Sequence, residues 1–155
     1  MAKKSATPLR VWVKMLATTN LMTQALRRLM QERCALTLPQ FDYLAQLERS
    51  GNEGLTLSQV ASKLMVTGGN VTGLTDRLQN EGLVYREPDP SDRRSLRVFM
   101  TEKGAERMAV AARIHEEWIN EAMSGLDRKA LQSLSESFDL LRESFRSAAE
   151  KRKPS

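Results

Sequence analysis

Residues 55–101 read LTLSQVASKLMVTGGNVTGLTDRLQNEGLVYREPDPSDRRSLRVFMT, and the fold follows from how this stretch is parsed. In its first part Thr56 with Gln59 forms a capping box, and Val60, Ala61 and Leu64 fall on one side of a short helix. A second helix is predicted over 67–82, stopping at Gly82 because glycine accepts the left-handed conformation in which helices often end. Val71, Leu74, Thr75 and Leu78 share one side of it at helical periodicity, which leaves Gly69, Asn70, Thr72, Gly73, Asp76 and Arg77 on the other. Gly68, Gly69 and Gly73 each cost this helix up to about 1 kcal/mol relative to alanine. That cost makes sense where a second surface must come very close, and a DNA major groove is one such surface.

After Gly82 the pattern changes to extended runs at 83–87 and 96–100, separated by PDPSDRRS. Prolines, aspartates and serines make that middle a loop, so the segment is a β-hairpin with Arg93 and Arg94 at its tip. The whole is a helix-turn-helix with a basic wing. Lys63, Arg86, Arg93, Arg94 and Arg97 are its local cations. Asn70 and Thr72 offer an amide and a hydroxyl to base edges. Ser58, Gln59 and Thr67 lie at helix starts, where free N–H groups suit phosphates and where capping alone explains the residue types equally well. Asp76 is a poor phosphate neighbour and is expected to sit away from the backbone or to pair with an arginine.

The run GLVYREPDPSDRRSLRVFMTEKG, with its Asp92-Arg93-Arg94 triplet, closely resembles the wing of the MarR family of bacterial transcription regulators, and TGGNVTGLTDRLQNEGLV resembles that family's recognition helix. The resemblance covers about a third of the chain. It implies a homodimer with winged DNA-binding lobes, usually a repressor released by a small molecule. It also implies that Arg94 enters the minor groove, and that Asp92 holds the wing by an ion pair, with Arg77 a possible partner. On this basis one domain is expected over 1–155, with dimerisation helices at 7–33 and 102–146 and a DNA-binding lobe at 37–101. The expected fold is mainly α with a small β-hairpin wing.

The remaining segments read consistently with that plan. Thr7-Pro8 is an N-cap followed by proline at the first helical position, opening a long helix to about Arg33 with Trp12, Met15, Leu16, Met22, Leu26 and Leu29 on its apolar side. Thr37 and Gln40 form another capping box, for a helix through about Arg49. Thr101 caps a helix over 102–123 with Met108, Ala112, His115 and Ile119 recurring along it. Asp127 caps a last helix whose Leu131, Leu134, Phe138, Leu141 and Phe145 alternate at three- and four-residue intervals, a seam that wants a helical partner. Residues 1–6 are expected to be disordered.

The 155 residues carry a formal net charge of +5, but Lys3, Lys4, Lys151, Arg152 and Lys153 supply five of the 24 basic side chains from the chain ends. The other 19 basic residues face 19 acidic ones, so bulk charge says little about nucleic acid and local placement carries the argument. No long apolar run or signal-peptide pattern is present, which makes a cytoplasmic protein the expectation. The single Cys34 and single His115 exclude an internal disulfide, a metal-ligand cluster and a Ser/His/Asp set, so neither an enzyme nor a cofactor is expected.

Many family members respond to aromatic carboxylates, antibiotics or acyl thioesters such as coenzyme A thioesters, bound between the dimer helices and the DNA lobe. The residues that can border such a cavity here are Met15, Met22, Met65, Met100 and His115. Arg27 is a cation for an acidic ligand, as are Arg10, Lys14 and Arg28. His115 lies on the apolar stripe of its helix and reads first as a satisfied core residue, with a ligand contact as the alternative. Cys34 lies at the end of the first helix, whereas peroxide-sensing members carry their reactive cysteine near its start, so an inert thiol is expected. The competing reading of the chain is a dimeric winged-helix module whose wing contacts a protein partner and not DNA.

Overall fold

The computed structural model describes residues 7–65, 67–92 and 94–151. The expectations for 1–6, for Arg93 and for Arg152 and Lys153 lie outside the described residues. In chain order the elements are α1 (Pro8–Cys34), α2 (Leu38–Ser50), a 3-10 turn (Gly51–Glu53), β1 (Leu55–Thr56), α3 (Leu57–Leu64), α4 (Gly68–Asn80), β2 (Val84–Pro88), β3 (Leu96–Met100), α5 (Glu102–Ala122) and α6 (Arg128–Glu150). The strands form an antiparallel sheet in the order β1-β3-β2, with Val84 opposite Met100 and Leu55 opposite Val98. Contacts divide the chain between Glu116 and Glu117 into two units, and α5 runs across the division.

Local chemistry sets the helix starts. Thr37 and Thr56 each accept from the backbone N–H three residues on, while Gln40 and Gln59 accept from the cap residues' own N–H groups, so both capping boxes are complete. Thr7 and Asp127 cap α1 and α6 by the same side-chain acceptance. At the start of α5, Thr101 Oγ1 accepts from the Gly104 N–H at 3.0 Å and donates to the Gly82 carbonyl at 2.8 Å, tying the helix to the end of α4.

The core of the first unit packs Met30 and Leu36 against Tyr43, Leu44 and Leu47 of α2, Val60 of α3, Val71 and Leu78 of α4, Val84 and Val98 of the sheet, and Met108 and Ala111 of α5. Burying each Leu, Val or Met contributes roughly 1.5–3 kcal/mol. One polar link crosses this core. The Tyr43 hydroxyl lies 2.8 Å from Thr75 Oγ1, and the Thr75 hydroxyl donates to the Val71 carbonyl at 2.7 Å, so Tyr43 is the donor in the first bond. Both groups are thereby satisfied where an unpaired hydroxyl would be costly.

Some expectations shift. The two-residue strand β1 was not foreseen, since a strand this short has no periodicity of its own and exists only by pairing with β3. On α5 the fully buried positions are Gly104, Met108, Ala111 and Ile114, with Ala112, His115 and Ile119 at the half-buried margin. On α6 no residue is buried, and Leu131, Leu134, Phe138 and Phe145 are all exposed.

Candidate nucleic-acid interface

The α4 helix presents the expected division of faces. Val71, Thr75 and Leu78 are buried and Leu74 is half-buried, while Gly69, Asn70, Thr72, Asp76 and Arg77 are exposed and Gly73 is half-buried. A Cβ added at Gly68, Gly69 or Gly73 would meet nothing within 4 Å. Packing among the described residues therefore gives no reason for these glycines, and each lowers helix stability without a local return. Ser58 and Lys63 of α3 are exposed. Gln59 is engaged through its carbonyl oxygen in the α3 cap. Thr67 occupies the N-cap of α4 in extended conformation but makes no side-chain cap bond, in contrast to Thr37 and Thr56, so capping does not account for its hydroxyl. Thr72 donates to the Gly68 carbonyl at 3.2 Å, and Arg77 Nε donates to the Gly73 carbonyl at 3.4 Å, laying the guanidinium along the helix.

The wing is braced differently from the expectation. Asp92 makes no pair with Arg77; its Oδ1 accepts from the Arg94 N–H at 3.0 Å and its carbonyl accepts from the Ser95 N–H at 2.8 Å, which shapes the tip through the backbone. The ion pair that holds the wing is Asp89 with Arg97. Asp89 Oδ2 accepts from Arg97 Nε at 3.1 Å and Nη2 at 2.8 Å, and Arg97 Nη1 reaches the Glu53 and Gly54 carbonyls at 2.9 and 3.3 Å. Arg97, one of the wing's local cations, thus joins both hairpin arms to the turn before β1. Asp89 is buried, and hydrogen bonds from the Ser91 hydroxyl and N–H, then from Arg97, hold its carboxyl down at about 2 against the usual 3.8. It is ionised at neutral pH, as the bracing requires. Arg86 is likewise engaged, by Asp76 of α4, which is the arginine partner expected for that aspartate. Arg94 remains exposed at the tip.

Sequence reasoning missed Asp89, whose partner lies on the opposite arm of the hairpin. The only available signal was a carboxylate just past the first strand facing an arginine within the second.

Beside α4 lies a cleft of about 660 Å3 whose walls include Arg27, Thr37, Asp42, Asn70, Gly73 and Arg77. Burial raises the Asp42 carboxyl above its ordinary value, with His115 and Arg49 opposing. Of the residues put forward for a ligand site, Arg27 lines this cleft. The others are not gathered there: Met65 is 93% exposed at the α3–α4 turn, Met22 is exposed on α1, and Met15 is half-buried. Met100 Cγ lies against α5 beside Gly104, and the His115 ring sits edge-on to Phe41 at 5.2 Å. Cys34 is buried, and desolvation raises its thiol pKa, with Arg33 opposing.

Comparison with known proteins matches these features to one group. The MarR family model matches residues 36–96. The HTH-type transcriptional regulator YkoM of Bacillus subtilis is 41% identical over 70 residues, 45% of this chain and 46% of that protein. Mb0904 of Mycobacterium bovis, also named an HTH-type transcriptional regulator, is 32% identical over 99 residues, 63% of this chain and 69% of that one. With several curated relatives the match spans half of their length or less, 46%, 34% and 49% in three of them. AbsC, a MarR family transcriptional regulator from Streptomyces coelicolor, superposes with a TM-score of 0.79 at 26% identity over 94% of this chain and 99% of its own. MepR of S. aureus, crystallised with DNA, shares the fold with a TM-score of 0.71 at 22% identity over 90% and 96% of the two chains. The family and these relatives are transcriptional regulators, not enzymes. A winged helix-turn-helix of this construction, matched by sequence through its reading helix and wing, belongs to the MarR family.

Proposed function

We propose that the chain regulates transcription in the cytoplasm, binding a palindromic operator in double-stranded DNA as a homodimer and acting as a repressor that a small aromatic acid or acyl thioester releases. The observation that carries this reading is the outer face of α4, where three glycines stand in open space around Asn70 and Thr72 and leave the backbone accessible to a close partner. Base edges in a major groove are such a partner, and Arg94 on the braced wing is suited to the adjacent minor groove. MepR, of the same fold, was crystallised with DNA. Two copies related by a two-fold axis would set their reading helices about 34–36 Å apart, in successive grooves.

Release follows from shared residues. Asn70, Gly73 and Arg77 belong both to the α4 outer face and to the cleft, so a ligand seated there competes with DNA for them. Arg27 and Arg77 supply cations for a carboxylate, and the cleft volume is within the roughly 300–1,000 Å3 range of small-molecule sites.

Salt titration of duplex binding tests the reading. Arg94→Ala is expected to weaken binding at nearly all sequences and to flatten the slope of log K against log salt by about 0.9, one phosphate contact. A wild-type protein that retains no duplex at moderate salt would sink the proposal.

Gly73→Ala separates stability from binding. With nothing within 4 Å of the new methyl, the helix should gain up to about 1 kcal/mol, and the melting temperature should rise. Operator affinity should fall at the same time, because the methyl stands where the duplex approaches. A stabilised variant with undiminished affinity would show that no close surface meets this face.

A further inference from the structure

A second cleft, of about 280 Å3, lies between the C-terminal end of α1 and the first turns of α5, lined by Arg33, Cys34, Lys103, Glu106, Arg107 and Val110. Three cations here face a single carboxylate. The Cys34 thiol adds no negative charge, because burial favours its protonated form. Lys103 and Arg107 are four residues apart on α5, a spacing at which like charges repel. Both are turned to carbonyls at helix ends: Lys103 Nζ donates to the Glu81 carbonyl at the α4 C-cap at 2.7 Å, and Arg107 Nη1 to the Ala35 carbonyl at the α1 C-cap at 3.5 Å. Helix C-termini carry only a partial negative charge, so these carbonyls and the one carboxylate leave the cleft net positive.

We propose that this cleft binds a phosphate-class anion, a phosphoryl or pyrophosphoryl group held by Arg33, Lys103 and Arg107. Two guanidinium groups and one ammonium suit an anion that offers several oxygens in different directions better than they suit a single planar carboxylate. The volume lies below the roughly 300 Å3 at which sites for drug-sized ligands begin, so the cleft takes a compact oxyanion or the phosphate end of a longer molecule. Occupancy has a consequence for α4. An anion that recruits Lys103 removes the donor from the Glu81 carbonyl, leaving the far end of that helix held by Gln40 Nε2 donating to Glu81 Oε1 and by the Thr101 hydroxyl donating to the Gly82 carbonyl, each at 2.8 Å. This effect on the reading helix rests on the DNA-binding reading above; the anion site itself does not.

The chain's one cysteine lines the cleft and reports on it without DNA. Labelling of Cys34 in the full chain with the uncharged reagent 4,4′-dithiodipyridine is measured in sodium pyrophosphate and in sodium chloride of equal ionic strength. Pyrophosphate is expected to slow labelling saturably, with a calorimetric binding isotherm at the same midpoint. Arg33→Gln, at an exposed position, and Lys103→Gln should each raise that midpoint about tenfold, the loss of one charge-assisted contact. Adenosine diphosphate binding more tightly than pyrophosphate would assign the site to the phosphate end of a larger ligand, and equal or weaker binding to the free oxyanion. Indistinguishable rates in pyrophosphate and chloride, or one midpoint shared by wild type and both variants, would overturn the site.

Discussion

Gly104→Ala is expected to destabilise the protein by about 3 kcal/mol, the upper end of what overpacking usually costs. A Cβ at this position would lie 2.1 Å from the Leu83 carbonyl oxygen and 2.8 Å from Met100 Cγ. The Met100 side chain can move, but the Leu83 carbonyl cannot, because it accepts from the Thr101 N–H at 3.0 Å and belongs to the junction between α4 and β2. To admit a methyl, the start of α5 must lift from the wing, and the Thr101 bonds to Gly82 and Gly104 that anchor it must lengthen. In an open helix the same substitution would be favourable by about 1 kcal/mol, so the sign is diagnostic. Thermal melting reads it directly: for a chain of this size 3 kcal/mol is a fall of roughly 6–12 °C. A melting temperature unchanged or raised would mean that α5 and the hairpin do not approach as described. Measured beside Gly73→Ala, the pair gives opposite signs for one chemical change in two helices, set only by what stands over each glycine.

That contrast also marks what could be read from the sequence. Thr56 with Gln59, Thr37 with Gln40, Thr7-Pro8 and Asp127 act within three or four residues of themselves, so the starts of α1, α2, α3 and α6 were legible. The inward stripe of α4 was legible too, because helical periodicity alone assigns Val71, Thr75 and Leu78 to one side. Gly104 was not, since its reason is a carbonyl 21 positions back in the chain that no local pattern announces. The bracing of the wing failed in the same way. The family resemblance implied a distant ion pair for Asp92, whereas Asp89 has the burial and the register to meet Arg97 across the hairpin. The α5 stripe moved by one helical position because burial follows what the helix packs on, and Gly104 fixes which side faces the hairpin. Ligand residues were the least legible: a cleft is a property of several elements at once, and of those put forward it is Arg27 that lines the cleft beside α4.

The second large effect is expected from Leu134→Lys with Phe138→Lys on α6. These side chains are 39% and 51% exposed, in a helix that buries no residue, so charging them removes no buried packing from the single chain, and α6 should keep its helix. Five apolar residues at alternating three- and four-residue intervals nevertheless form a continuous seam, Leu131 to Phe145, and such a seam is stable in water only when covered. If a second copy covers it, four added lysines would face one another across the two-fold axis and the dimer would dissociate. Each freed protomer would then hold one half-site, losing the effective concentration that joins the two, and operator affinity should fall about 100-fold or more. Sedimentation should report a monomer with undiminished helical circular dichroism. A variant that remains dimeric would place the association elsewhere on the chain. A folded monomer that binds the operator as tightly as the parent would remove the two-fold reading of the operator altogether, because one wing and one reading helix would then suffice.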